Sequence, residues 1–158
     1  MKIIYVHHGN RQVGNPPTQN DDLTPLGYED CNLVAELLNN EKTKQHIKAI
    51  YTSPFFRCHK TAEIINKHLN TQIINDDRLN EFQSKNESWL DAQNRITDCL
   101  NHIINTYSND DIIICVTSGV NVGAFICKAY NIKPSPNTPF LGIPSCSPII
   151  FDFEKQTK

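Results

Sequence analysis

Lys2-Ile3-Ile4-Tyr5-Val6-His7-His8-Gly9 follows Met1 and joins an apolar run to two histidines and a glycine. A short continuous apolar run is typical of a strand that is buried on both faces of a parallel sheet. In open α/β sheets the ligand crevice lies beyond the carboxyl ends of the strands. The stretch therefore predicts a buried first strand that delivers His7, His8 and Gly9 to a site at the edge of a sheet.

Similar apolar runs recur along the chain and alternate with segments of helical periodicity. The expected strands cover residues 3–6, 49–51, 72–74, 112–116 and 149–153. Thr24 and Pro25 are typical of a helix start, and the expected core stripe of this helix is Leu33, Val34, Leu37 and Leu38. The alternation predicts an α/β fold, namely a three-layer α/β/α sandwich around a mostly parallel sheet.

The later helices have clearer patterns. One has a stripe of Cys58, Ala62, Ile65 and Leu69, and another follows Ser88 as a capping residue. A fourth is expected over 120–130, and the prolines between 132 and 148 predict an ordered loop before the last strand.

Composition limits the class of protein. A chain of 158 residues fits one domain, expected over 1–158, and a net charge of -2 without a basic stripe does not favour nucleic acid as a partner. No run approaches the ~20 apolar residues of a membrane span. The six cysteines include no C-x-x-C pair and are interpreted as reduced, structural thiols of a cytoplasmic protein.

Polar residues follow each of the expected parallel strands. After the first come His7 and His8; Arg57 follows the second, Glu81 the third and Ser118 the fourth. Because the carboxyl ends of parallel strands meet at one edge of the sheet, these side chains are expected to converge there.

These residues belong to a collinear series of motifs that resembles the histidine phosphatase superfamily, the phosphoglycerate-mutase-like group. The resemblance covers nearly the whole chain. Its pieces, in order, are His7-His8-Gly9; Leu23-Thr24-Pro25-Leu26-Gly27; Ser53-Pro54 with Arg57 and Thr61-Ala62-Glu63; Leu79-Asn80-Glu81; and Glu87-Ser88 with Arg95.

The resemblance implies a phosphoglycerate-mutase-like fold and assigns roles to several residues. His8 matches the nucleophile that forms a phosphohistidine, and Glu81 matches the acid that protonates the leaving oxygen from a shielded pocket. Arg57 matches an arginine whose planar fork holds two phosphate oxygens. Gly9 suits close approach of phosphate to the main chain.

The chain departs from the family at two positions of the site. His7 stands where the family has an arginine, and Ser118 stands where it has a second histidine. An imidazole is only partly charged at neutral pH, so phosphate is expected to bind more weakly, and better in acid. Arg11, three residues after His8, is either a substitute cation or an exposed loop arginine.

Three interpretations therefore stay open. The first is a small phosphomonoesterase of reduced activity that acts on a small phosphate ester; the short segment 82–86 leaves little chain for the lid of a mutase. The second is an inactive pseudophosphatase that binds a phosphorylated ligand or a protein partner. The third is that residue 7 or 118 has been exchanged to trap a ligand. No cofactor is implied, and no metal is expected at His7, His8 and Glu81, because adjacent strand residues point to opposite faces.

Overall fold

The computed structural model describes residues 1–14, 18–82, 86–135 and 143–153. Five strands form one sheet in the order β3-β2-β4-β1-β5. They are β1 (Lys2–His7), β2 (Ile47–Thr52), β3 (Gln72–Asn75), β4 (Ile112–Thr117) and β5 (Pro148–Asp152). The first four are parallel, and β5 pairs antiparallel with β1. The predicted, mostly parallel α/β sheet is therefore confirmed.

Helices cover both faces of the sheet. They are α1 (Pro25–Leu38), the short α2 (Glu41–Lys44), α3 (Phe56–Leu69), α4 (Trp89–Thr106) and α5 (Val122–Ala129). Helices α1 and α3 pack together over one face, and α4 packs with α5 over the other. This arrangement gives the three layers that the alternation of apolar runs predicts.

The central strand β1 is buried on both sides, as its apolar run indicates. Ile3 and Tyr5 belong to the core beneath α4 and α5, whereas Ile4 and Val6 belong to the core beneath α1 and α3. Alternate side chains of a strand point to opposite faces, so a strand between two helical layers needs apolar residues at every position. The ends of β1 and β4 lie side by side, with His7 paired to Thr117.

Helix starts agree with their capping signals. The Thr24 hydroxyl accepts from the Gly27 amide, with Pro25 in the first turn of α1. Ser88 and Asp91 form a reciprocal capping box at the start of α4. The helix expected over 120–130 begins as a 3₁₀ turn at Gly119–Asn121 and continues as α5.

The core stripe expected for α1 is wrong at two positions. Leu33 and Leu37 are 59% and 68% exposed, while Cys31 and Ala35 are fully buried with Val34 and Leu38. The buried face consists largely of small residues, which allow α1 to lie close to α3 and to the turn after β1. Hydrophobicity alone favours the large leucines and misses this packing.

Some expectations fall partly outside the described residues. The proline-rich loop has neither helix nor strand over 132–135 and 143–147, and its residues 136–142 lie outside the described residues. Residues 83–85 of the short segment after Glu81 and residues 15–17 of the loop after β1 also lie outside them. No helix in the described ranges is long and apolar enough to cross a membrane.

Candidate active site

A cleft of about 340 Å³ opens at the carboxyl edge of the sheet, next to the ends of β1 and β4. It contains most of the side chains that the sequence pattern brings to this edge. The residues that line it are His7, His8, Asn10, Arg11, Val13, Glu81, Ser118, Gly119, Val120, Ile143 and Ser145.

His8 is held in one tautomer by two hydrogen bonds. Its Nδ1 lies 2.8 Å from the Gly9 carbonyl oxygen, which can only accept, so Nδ1 carries the proton. Its Nε2 accepts from the Arg57 Nε at 3.1 Å and therefore keeps its lone pair. Burial, with further contributions from His7 and Arg57, lowers the pKa of His8 from 6.5 to about 3. The ring is thus neutral at physiological pH, with a lone pair on Nε2.

Gly9 supports the site through contacts within the protein, and the close approach of phosphate expected there stays a prediction. Its amide donates to the Thr61 hydroxyl at 3.0 Å, and that hydroxyl donates to the Arg57 carbonyl at 2.7 Å. A Cβ at position 9 would lie 2.7 Å from the Cys31 sulfur. The glycine is required for packing against α1, and its amide is engaged within the protein.

Arg57 is a buried cation at the start of α3. Its side chain is 4% exposed, and its guanidinium lies 5.0 Å from the centre of the Phe55 ring. Nε donates to His8, and Nη2 donates to the Glu81 Oε2 at 3.2 Å. The arginine therefore joins the two residues to which the resemblance assigns catalytic roles.

Glu81 follows the 3₁₀ turn Asp77–Leu79, and its carboxylate accepts from both Arg57 and the Ser118 hydroxyl, the latter at 3.0 Å. Its side chain is 33% exposed, so the pocket shields it less than expected for the acid. In the free protein, Glu81 therefore accepts the hydrogen bonds of Arg57 and Ser118 that an anionic ligand would otherwise accept.

The Glu81 loop is fixed by a partly buried ion pair. Arg95 on α4 makes two parallel bonds of 2.7 Å to Glu87, and its Nη1 donates to the carbonyls of Arg78 and Asn80 at 2.7 and 3.0 Å. The motif series flags both charged residues but gives them no role. Their contacts show that they position the turn that carries Glu81.

A buried network also ties this turn to β4. The Asn121 amide donates to the carbonyls of Leu79 and Asn80, both at 3.2 Å, and to the Thr117 hydroxyl at 2.7 Å. The Thr117 hydroxyl donates to the Leu79 carbonyl at 2.5 Å. The sequence reading missed Thr117 and Asn121 as supporting residues, although both lie next to Ser118 at the strand end.

His7 also faces the cleft, with its ring centre 4.5 Å from that of His8. The expectation that the two rings point to opposite faces is wrong, because the strand ends at His7 and its alternation does not extend to His8. Nδ1 of His7 lies 2.8 Å from the Ile143 carbonyl and so carries the proton. Burial lowers the pKa of His7, so the ring is neutral at pH 7 with a lone pair at Nε2.

Ser118 and Arg11 are both engaged with carboxylates. The Ser118 hydroxyl donates its one proton to Glu81, while its carbonyl accepts from the Tyr5 hydroxyl at 2.9 Å. Arg11 lines the cleft, but its Nη1 is paired with the buried Asp21 at 2.8 Å. Arg11 and Arg57 therefore each have a carboxylate partner, and the two histidines are neutral.

Among the described residues, no group of three or more histidine, cysteine, aspartate or glutamate side chains is arranged to hold a metal ion.

A parallel sheet with a buried histidine, an arginine and a carboxylate meeting at its carboxyl edge defines the phosphoglycerate-mutase-like class of α/β proteins. Residues 6–86, just over half of the chain, match the family model of the histidine phosphatase superfamily (branch 1). The chain belongs to that superfamily.

Individual relatives agree with this assignment. The chain is 44% identical over 61 residues to a candidate phosphoserine phosphatase of Hydrogenobacter thermophilus, a match that covers 39% of this chain and only 28% of the relative. The protein histidine phosphatase SixA, solved with tungstate, superposes with a TM-score of 0.72 at 16% identity over 95% of this chain and 86% of that one. Phosphoserine phosphatase from Entamoeba histolytica, solved with 3-phosphoglyceric acid, gives 0.74 at 18% identity over 96% and 90%. At these identities the two structures establish the fold.

Proposed function

We propose that this protein is a small phosphomonoesterase that acts through a phosphohistidine on His8. The observation that carries the proposal is the pair of hydrogen bonds on the His8 ring, which leaves the lone pair on Nε2 and sets that atom 3.1 Å from the Arg57 Nε. A nucleophile beside a fixed cation is the arrangement that phosphoryl transfer requires. Membership of the histidine phosphatase superfamily supports phosphatase chemistry in general.

In the first half-reaction, Nε2 of His8 attacks phosphorus and the ester P–O bond breaks. The Gly9 carbonyl stabilises the cationic phosphohistidine ring through its hydrogen bond to Nδ1. The Arg57 guanidinium turns from Glu81 and from the His8 Nε2 to the phosphoryl oxygens, which its planar fork can bind in pairs, and this movement frees the Nε2 lone pair for attack. Glu81, released from its ion pair, takes up the proton that a monoanionic ester brings into the cleft and passes it to the leaving alkoxide.

In the second half-reaction, water attacks the phosphohistidine. Glu81, now ionised, accepts the proton of the water as the new P–O bond forms, and the P–N bond breaks to regenerate neutral His8. Inorganic phosphate then leaves. The same carboxyl group serves first as acid and then as base, so one residue at this position is sufficient for both steps.

The substitutions at positions 7 and 118 reduce this activity. Neutral His7 has a lone pair at Nε2, and so donates to a phosphate oxygen only after it gains a proton. Ser118 supplies a neutral donor that Glu81 already occupies. Loss of one preorganised donor to developing charge costs about 10²–10³ in rate, so we infer slow hydrolysis of small phosphate esters, with more activity in acid.

A second candidate function is binding without catalysis. The observation that favours it is that both Arg57 and Ser118 donate to Glu81 in the free protein. A pseudophosphatase would exchange this internal carboxylate for the phosphate of a ligand or of a partner protein and stop there.

Hydrolysis of p-nitrophenyl phosphate between pH 5 and 8 separates the two functions. The chain is assayed beside His8→Ala, with His68→Ala, at an exposed position on α3, as the matched control. We expect hydrolysis that is lost in His8→Ala, kept in His68→Ala, and accompanied by an acid-labile phosphoryl label on His8. No hydrolysis together with measurable binding of sulfate would contradict the phosphatase and support the binding function.

A further inference from the structure

Two of the buried cysteines form a close pair. All six are free and buried, but the sulfurs of Cys31 and Cys146 lie only 3.2 Å apart, although the residues are 115 positions apart in the chain. Cys31 lies on α1, and Cys146 lies in the turn before β5. The sulfurs would have to approach by about 1.2 Å more to reach the 2.05 Å of a disulfide.

Backbone contacts fix the position of Cys146. Its φ is 56°, a left-handed conformation that residues with a Cβ rarely adopt. Its amide donates to the carbonyls of His7 and His8 at 3.0 and 3.3 Å, and these bonds hold the turn in place. The short distance between the two sulfurs thus results from a defined backbone geometry. The turn that sets it is bonded directly to His7 and His8.

We propose that Cys31 and Cys146 are a redox-active thiol pair, which a peroxide oxidises to a disulfide that ties α1 to the turn before β5. The proposal stands on the sulfur geometry and does not depend on phosphatase activity. It replaces the interpretation of these two cysteines as purely structural thiols.

The oxidation consumes one peroxide molecule and releases two molecules of water. The Cys31 thiolate attacks one oxygen of the peroxide, the O–O bond breaks, and hydroxide leaves and is protonated to water, so that a sulfenic acid remains on Cys31. The Cys146 sulfur then attacks the sulfenic sulfur, the S–S bond forms, the S–O bond breaks, and a second water leaves. The two thiols lose two electrons, and the peroxide gains them.

The local electrostatics are consistent with this order. The Cys146 thiol beside it lowers the pKa of Cys31, whereas the pKa of Cys146 is raised by the same contact and by burial. Cys31 is therefore the sulfur that ionises first. Cys146 is 8% exposed and Cys31 is fully buried, which restricts the pair to a small oxidant such as a peroxide.

Thiol counting after hydrogen peroxide treatment tests the proposal. The full chain is alkylated in denaturant and weighed, and we expect the number of alkylated cysteines to fall from the six of the reduced chain to four, with a peptide map linking 31 to 146. Dithiothreitol should restore all six. Because the new bond closes a long loop, the Tm of the oxidised chain should rise.

Three variants complete the experiment. Cys31→Ser and Cys146→Ser should each lose the linked peptide and the Tm shift, whereas Cys127→Ser, a buried thiol on α5, should keep both. Six alkylated cysteines after peroxide, a link between other cysteines, or a loss that dithiothreitol does not reverse would each overturn the proposal. These readouts need no substrate, so they do not depend on whether the chain hydrolyses phosphate esters.

Discussion

Exchange of His7 for arginine tests the electrostatic account of the site most directly. The His7 ring donates from Nδ1 to the Ile143 carbonyl, and its lowered pKa leaves Nε2 unprotonated at neutral pH. An anion in the cleft therefore gains a donor at Nε2 only with uptake of a proton. In His7→Arg the charge is permanent, so binding no longer needs that proton.

The magnitude follows from the cost of protonation. Since the pKa of free His7 lies below 6.5, adding a proton at pH 7.5 costs at least about 1.4 kcal/mol, or about tenfold in affinity. A unit charge and a dianion about 4 Å apart attract by about 8 kcal/mol at an effective dielectric constant of 20. The attraction is several times this minimum cost, so we expect His7 to gain a proton when a dianion binds.

The sign of the pH dependence is then fixed. Anion binding raises the pKa of His7 above its free value, so the affinity is fully present below the free pKa and is lost as pH rises towards the bound pKa. Between these two values, Kd should rise about tenfold for each pH unit. The window begins below pH 6.5, because burial lowers the free pKa.

Sulfate is the suitable probe, because it is a tetrahedral dianion throughout the range. In calorimetric titrations from pH 5.5 to 8, the sulfate Kd of the parent chain should rise with pH, whereas that of His7→Arg should be nearly independent of pH. At pH 7.5, His7→Arg should bind sulfate at least about tenfold more tightly than the parent chain. His7→Gln, which cannot be charged, is the matched control and should bind weakly without a slope. A slope that persists in His7→Gln would refute the reasoning, since another group would then take up the proton.

Four further substitutions probe the remaining site residues. Glu81→Gln should slow p-nitrophenyl phosphate hydrolysis yet tighten sulfate binding about fivefold, since it removes roughly 1 kcal/mol of repulsion; weaker sulfate binding would contradict the view that this carboxylate competes with the ligand. Arg57→Lys keeps the charge but loses the fork, so sulfate affinity should fall about 10- to 100-fold, and an unchanged Kd would show that the guanidinium does not bind the anion. Ser118→His should raise kcat about 10²-fold, whereas Ser118→Asn, which adds no charge, should not; equal rates in the two variants would show that charge at position 118 does not accelerate hydrolysis. Arg95→Met should cost about 3 kcal/mol of stability by removing both bonds to Glu87 and the bonds to the carbonyls of Arg78 and Asn80, lowering Tm by roughly 6–12 °C, and a Tm within 2 °C of the parent would show that Arg95 does not hold the turn.

The fold could be predicted from the sequence because its central elements are locally consistent. The apolar run of β1 and the Ser88 cap of α4 each specify their element without reference to the rest of the chain. Helix α1 shows the limit of this reasoning. Its buried face uses Cys31 and Ala35 rather than the exposed Leu33, and close packing of helices favours small side chains that carry little hydrophobic signal.

The candidate site was predictable in membership but not in detail. The motif series brings His8, Arg57 and Glu81 to one edge of the sheet, and the structure places them in hydrogen-bond contact. The Ile143 carbonyl that fixes the His7 tautomer lies 136 positions along the chain, and no sequence pattern announces a contact of that kind. The Cys31–Cys146 contact was equally hidden, because it depends on the conformation of one turn.

The charge balance of the cleft determines which of the two candidate functions the chain can perform. Arg57 is balanced by Glu81 and Arg11 by Asp21, while His7 and His8 are neutral, so the described residues of the free cleft supply no net positive charge to receive a dianion. A phosphate ester must therefore release Arg57 from Glu81 or bring a proton to His7. The first event also frees the carboxyl group that hydrolysis needs as its acid, so binding and catalysis share a step. If sulfate binds without separating that ion pair, the acid stays engaged and the chain acts as a binding protein; if binding separates it, every group required for slow hydrolysis is in place.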